Sequence, residues 1–114
     1  VTFFSEAKEQ ARISGKPIFI DFYASWCANC LEFAKEVVTN KSLNTALRES
    51  AIALKVIDNT PEFERFKASP EHRQLKIGLP YFAILSRDGK LHWSGTDYKA
   101  TNTMINVLSR LNKL

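Results

Sequence analysis

Short apolar runs mark the strands of a predicted sheet. Residues 18–23 (IFIDFY) carry apolar side chains on both alternating faces, which is typical of a central parallel strand covered on both sides. The runs at 52–58 (IALKVID) and 81–85 (YFAIL) predict two more strands. The Asp88-Gly89 pair predicts a hairpin turn, so residues 90–94 (KLHWS) would return as a fourth strand.

Helical periodicity fills the segments between and around these strands. Ser5 is the predicted N-cap of a first helix, which stops near Gly15. The pattern over 61–76 is helical but broken at Pro70. An amphipathic helix is predicted over 101–111. Its apolar stripe consists of Met104, Ile105, Leu108 and Leu111.

Another helix is predicted from Cys27 to Asn40, where the hydrophobic period changes from that of a strand to that of a helix. Its predicted buried stripe consists of Cys30, Phe33, Ala34, Val37 and Val38. Ser42 would cap a short second piece. The resulting order α-β-α-β-α-β-β-α predicts an α/β fold, with a mixed central sheet flanked by helices on both faces. We expect a single domain over residues 1–114.

Composition and charge narrow the class of protein. The chain is 45% hydrophobic and 25% charged, with a formal net charge of +4, as in ordinary globular domains. Its apolar runs are far shorter than the roughly 20 residues that span a bilayer. Basic residues are scattered among acids, so we expect no nucleic-acid partner. Because the chain begins at Val1 rather than Met, we expect a processed product, an excised domain or a trimmed chain.

The segment ASWCANC (24–30) holds both cysteines of the chain, Cys27 and Cys30. Such a pair on the first turn of a helix can form a disulfide, but so small a loop would stabilise the fold little. The other candidate metal ligands are His72, His92 and Met104. None of these stands at ligand spacing from the pair. Redox chemistry is therefore the favoured interpretation, and we expect neither a metal nor a cofactor.

The predicted helix would place the two thiols in different surroundings. Cys27 would lie exposed at the helix N-terminus, where free backbone N–H groups and the positive end of the helix dipole stabilise a thiolate. Cys30 would point along the buried stripe. We therefore expect Cys27 to attack a foreign disulfide and Cys30 to resolve the mixed disulfide.

Other positions near the pair are open to two interpretations. Asp21 is either a buried carboxyl that exchanges the proton of Cys30 or a strand-edge side chain that reaches water. Trp26 is either a core aromatic or part of the active-site turn, and Trp93 is expected in ordinary sheet packing. The segment 78–80 (GLP) precedes a strand, but its pattern alone does not predict a cis Leu-Pro bond.

Taken together, DFYASWCANC and the later GLP segment resemble the thioredoxin superfamily over nearly the whole chain. The resemblance implies the thioredoxin fold. Within the superfamily, the chain is most similar to the C-terminal thioredoxin-like domain of the DsbD family of membrane thiol:disulfide interchange proteins. The segments that carry this closer similarity are KPIFIDFYASWCANC, EVVTNKSLNTAL, VIDNT and IGLPYFAIL.

The resemblance also implies roles for particular residues. Asp21 matches the buried acid of the superfamily. Pro80 would be cis and pack beside the disulfide, and the backbone of Leu79 would pair with a docking peptide. We also predict Trp26, next to Cys27, as a substrate-binding residue. The departures from the pattern are Ala34 where DsbD-type domains can carry a glutamate, Ala28-Asn29 between the cysteines, and Tyr81 where many relatives have threonine.

We therefore expect a protein-disulfide reductase. The resemblance implies a periplasmic domain, free or tethered to the inner membrane, that takes electrons from a membrane-embedded partner domain and passes them to periplasmic thiol/disulfide proteins. Ala28-Asn29 supplies no positive group to stabilise a thiolate strongly, which favours a reductant. We expect a monomeric domain. The alternatives are a stand-alone cytoplasmic thioredoxin, a reductase for cytochrome maturation, and a non-catalytic thioredoxin-fold binding module or metal carrier.

Overall fold

Four strands form one mixed sheet, as the hydrophobic pattern predicts. The computed structural model describes residues 1–112. The strands are β1 (Ile18–Tyr23), β2 (Ile52–Ile57), β3 (Tyr81–Leu85) and β4 (Leu91–Gly95). They are ordered β2-β1-β3-β4 across the sheet. β1 pairs in parallel with β2 and antiparallel with β3, and β3 and β4 form the antiparallel hairpin. β1 is therefore an interior strand, although it is parallel to only one of its neighbours.

Helices cover both faces of this sheet. The α-helices are α1 (Phe4–Ser14), α2 (Ala28–Thr39), α3 (Lys41–Glu49), α4 (Pro61–Ala68) and α5 (Thr101–Asn112). A 3-10 helix at Pro70–Lys76 follows α4, so the predicted break at Pro70 is confirmed. Within residues 1–112, every helix is too short or too polar to cross a membrane.

Alternate residues of β1 build two separate cores. Ile18, Ile20 and Phe22 pack against α1, α4 and the 3-10 helix, whereas Phe19 packs against α2, α3 and α5. All four side chains are buried, and each contributes about 1.5–3 kcal/mol to the hydrophobic stabilisation. Asp21 shares the face of Phe19, which is the face that α2 covers. Trp93 is partly buried against this second core, which confirms the prediction of sheet packing.

The first helix begins earlier than predicted. α1 starts before Ser5, which therefore does not act as its N-cap. The Glu6 carboxylate accepts the backbone N–H groups of Thr2 and Phe3 instead, and these bonds lower the pKa of Glu6. Gly15 ends the helix as predicted, because its φ of +79° lies in the left-handed region that favours glycine.

The junction between α2 and α3 also differs from the prediction. Asn40 ends α2 and, in place of Ser42, caps α3 by accepting a backbone N–H of the first turn at 3.1 Å. Ala34 and Val38 are exposed rather than buried, Val38 at 79% of its surface. The stripe of α2 that reaches the core is narrower than predicted, because the sheet and α3 cover only the side of the helix that carries Phe33.

Candidate functional site

A disulfide between Cys27 and Cys30 lies at the N-terminus of α2. The two Cα atoms are 5.2 Å apart. Cys27 is the N-cap of the helix, and its Sγ accepts the backbone N–H of Cys30 at 3.1 Å. At this position the sulfur meets the free N–H groups and the positive end of the helix dipole, which stabilise negative charge on Cys27 once the disulfide is opened.

The two sulfur-bearing residues do not differ in exposure. Cys27 is 5% exposed and Cys30 6%, so the expected contrast between an open and a sheltered cysteine is wrong for this disulfide form. Because the bond holds both sulfurs together, Cys27 is drawn into the same cluster as Cys30 and Ala24, with Tyr23 and Leu79 packed against it. A reacting partner must therefore fit closely around the disulfide to reach either sulfur.

The segment before β3 forms one wall of this cluster. The Leu79-Pro80 bond is cis, as the resemblance implies, and Pro80 is buried. The partly buried Leu79 packs between the disulfide cluster and the first core. Among residues 1–112, neither the N–H nor the C=O of Leu79 has a hydrogen-bond partner, so its backbone can pair with an incoming strand.

Grooves lie on either side of residues 77–79. One has a volume of about 370 Å³ and is bordered by Asn29 and Thr96, while the other has about 210 Å³ and is bordered by Trp26 and Asp58. Ile77 lines both grooves and is 86% exposed. An extended peptide placed along residues 77–79 would thus have space for side chains on both sides.

Trp26 belongs to the site surface rather than to the core. It is 70% exposed, and its indole Nε1–H donates to Asp58 Oδ2 at 2.9 Å. The Asp58 backbone N–H donates to the Tyr23 carbonyl at 3.0 Å, which fixes Asp58 beside the end of β1. The sequence reasoning missed Asp58. Its position directly after β2 is a usable signal, because the carboxyl ends of parallel neighbours lie at the same edge of a sheet.

Asp21 lies on interior strand β1, so the interpretation as a strand-edge residue is wrong. Its Oδ1 is buried without a hydrogen-bond partner among the described residues. Desolvation raises the pKa of Asp21 to about 6, and the nearby charge of Lys55 opposes part of that rise. The carboxyl opens into an apolar cavity of about 530 Å³ that is lined by Phe33 and Ala34 of α2 and by neither cysteine.

Comparison with known proteins shows which family the chain resembles in sequence. The sequence profile of thioredoxin-like proteins matches residues 1–86.

The chain belongs to the thioredoxin-like family.

Solved structures agree with this thioredoxin-like assignment. A thioredoxin from Thermus thermophilus superposes with a TM-score of 0.71 at 18% identity, over 96% of this chain and 84% of that one. The Deadhead thioredoxin of Drosophila melanogaster gives a TM-score of 0.65 at 28% identity, over 95% of this chain and 90% of that one. The thioredoxin fold expected from the resemblance is therefore confirmed.

The curated relatives of this thioredoxin-like chain differ in how much of their own length the match covers. Thioredoxin-1 of Drosophila melanogaster is 30% identical over 95 residues, which cover 82% of this chain and 80% of that protein. The thiol:disulfide interchange protein DsbD of Klebsiella pneumoniae is 30% identical over 80 residues, which cover 70% of this chain. The matched region spans only 13% of that DsbD protein.

The thioredoxin-like fold with a close cysteine pair at CxxC spacing is that of thiol-disulfide oxidoreductases. Such a pair holds two electrons as a dithiol and releases them when the disulfide forms. The structure brings Cys27, Cys30 and Leu79 into one cluster and places Trp26 on the neighbouring surface. Asp21 lines the cavity beneath α2.

Proposed function

We propose that the chain is a protein-disulfide reductase that passes electrons by dithiol/disulfide exchange. The observation that carries the proposal is the Cys27–Cys30 disulfide at the N-terminus of α2, beside the unpaired backbone of Leu79. A thiolate at the N-cap has the stabilisation that an attacking group requires, and the neighbouring backbone offers a partner two directional hydrogen bonds.

In the proposed reaction, the Cys27 thiolate attacks one sulfur of a partner disulfide. A mixed disulfide forms, and the partner's other sulfur leaves as a thiolate that takes up a proton. Cys30 then loses its proton and attacks Cys27 Sγ, which releases the partner's second thiolate. The partner gains two electrons and two protons, while the chain returns to its disulfide form.

Asp21 is the proposed acceptor for the Cys30 proton. Its raised pKa of about 6 lies close to neutral pH, which suits a group that takes up and returns a proton. Asp21→Asn removes this acceptor and should slow exchange near neutral pH. An unchanged exchange rate would reduce Asp21 to a structural residue.

The proposed cellular role is that of a periplasmic electron carrier. The similarity to the thiol:disulfide interchange proteins DsbD supports this proposal. The proposed electron donor is a membrane-embedded domain, and the proposed acceptors are periplasmic thiol/disulfide proteins. A stand-alone thioredoxin is the second candidate, because the chain covers 80% of thioredoxin-1. In both roles the proposed domain works as a monomer.

Reduction of insulin in the presence of dithiothreitol tests the activity, with Cys27→Ala as the inactive control. Turnover separates a reductase from a non-catalytic binding module. Equilibration of the pair against a glutathione series tests the direction of electron flow. We expect a reducing potential, and a value near that of the oxidant DsbA, about −120 mV, would contradict the role of reductant.

A further inference from the structure

A buried hydrogen bond joins the residues that flank the proposed docking segment, residues 77–79. His72 lies in the 3-10 helix before the segment, and Tyr81 is the first residue of β3 after it. His72 Nδ1 lies 2.7 Å from the Tyr81 hydroxyl. The bond therefore closes the loop that carries the docking backbone, and sequence reasoning considered His72 only as a metal ligand.

Both partners are buried, and aromatic rings pack against them. His72 is 3% exposed and Tyr81 is fully buried. The imidazole packs edge-on against Phe66 with ring centroids 5.4 Å apart, and Tyr81 packs against Phe22 at 5.3 Å. These rings belong to the first core, on the face of the sheet opposite α2. The hydrogen bond thus reaches the docking loop from the side that does not carry the cysteines.

The charge near His72 favours the tautomer in which the imidazole accepts this hydrogen bond. Burial lowers the pKa of His72, so the imidazole is neutral near pH 7, although the Glu71 charge opposes the shift. The Glu71 carboxylate lies 3.5 Å from Nε2 and draws the ring proton to that nitrogen. Nδ1 is then free to accept the Tyr81 O–H.

We propose that His72 and Tyr81 are positioning residues that hold residues 77–79 in place for docking of a protein disulfide. The proposal rests on the reductase function proposed above. Within the loop, the N–H groups of Ile77 and Gly78 donate only to the Gln74 carbonyl, at 3.0 and 3.4 Å, so these bonds do not tie the segment to the sheet. Leu79 packing and the His72–Tyr81 bond provide that connection.

A positioning role predicts a defect that depends on the substrate. A protein disulfide must dock along residues 77–79, whereas a small aromatic disulfide needs only the sulfurs. Tyr81→Phe removes the hydroxyl and keeps the ring, leaving His72 Nδ1 buried without its partner. For insulin we expect kcat/KM to fall about fivefold or more because KM rises. A fall of this size corresponds to the loss of one buried hydrogen bond. For dithiobis-nitrobenzoate we expect a rate within about twofold of the wild type.

Two single variants and one double variant separate positioning from stability. Tyr98→Phe, at a partly buried tyrosine in the second core, and His92→Gln, at the exposed histidine, are matched controls that should leave both rates unchanged. In the double variant His72→Leu/Tyr81→Phe, both polar partners are gone, so stability should recover relative to Tyr81→Phe. Its insulin KM should remain high, because the connection across the loop is still missing.

Hydrogen exchange gives a readout that does not depend on activity. The amides of residues 77–79 should exchange faster in Tyr81→Phe than in the wild type, while those of β1 stay unchanged. A folded Tyr81→Phe with wild-type insulin KM, or with equal losses for both disulfides, would overturn the positioning role. A wild-type protein inactive towards both disulfides would instead overturn the reductase function on which the role rests.

Discussion

Replacing the unpartnered carboxyl of Asp21 with an amide should stabilise the protein, and more so as the pH rises. In the folded protein the carboxyl is desolvated on an interior strand and its Oδ1 lacks a partner among the described residues. The amide side chain of asparagine has nearly the same shape as the carboxyl and no titrating proton. The comparison of Asp21→Asn with the wild type therefore isolates the free energy of ionising a buried carboxyl.

The size of the effect follows from the pKa of Asp21 in the two states. Folding raises it from 3.8 to about 6, and each pKa unit corresponds to about 1.36 kcal/mol. Well below pH 3.8 the carboxyl is protonated in both states and no penalty arises. Between pH 4 and 6 the unfolded chain loses its proton first, so wild-type stability falls, by up to about 3 kcal/mol above pH 6.

Urea unfolding of both proteins in the disulfide form, at intervals from pH 4 to 8, measures this difference. The advantage of Asp21→Asn should grow between pH 4 and 6 and then level off. Any cost of burying the new amide shifts all points equally and leaves the slope intact. Glu64→Gln, at an exposed carboxyl, should show no such trend. A difference that is constant with pH, or that grows towards acid, refutes the reasoning.

Further predictions concern the cysteines, the docking segment and a helix cap. Cys30→Ala should accumulate mixed disulfides that persist on non-reducing gels, while Cys27→Ala should capture none. Capture by Cys27→Ala alone would reverse the two roles. A Cβ at Gly78 meets no atom within 4 Å, so Gly78→Ala and Gly78→Phe should both fold by circular dichroism, but only the larger side chain should block insulin reduction. Asn40→Ala should lower the free energy of unfolding by about 1 kcal/mol, as measured in urea, because α3 loses its cap.

The architecture could be predicted because local patterns and strand pairing agree. The run at 18–23 is apolar on both faces, and the structure buries Phe19 on one side and Ile20 on the other. Pairing direction was harder to foresee. The hydrophobic pattern of β1 is the same whether a neighbour runs parallel or antiparallel, so nothing in it showed that β3 would run against β1.

Details that depend on competition between neighbouring side chains, or on distant residues, could not be predicted from the local pattern. Ser5 has the chemistry of an N-cap, but a glutamate one residue later satisfies the N–H groups before it. Ala34 and Val38 continue the apolar period of α2, yet the period does not reveal how much of the helix its neighbours cover. Trp26 was open to two interpretations because its partner, Asp58, is 32 residues away.

The sequence located the cysteine pair but not its accessibility, and accessibility decides how the pair can be selective. With Cys27 and Cys30 each at most 6% exposed, the helix dipole alone does not make the disulfide available to every thiol in solution. The rate must depend on how well a partner fits the surface around the sulfurs, where Leu79 offers its backbone and Ile77 an exposed side chain. In the proposed reaction, charge stabilisation at the N-cap sets the reactivity of a docked pair, and the His72–Tyr81 bond favours partners that dock along residues 77–79.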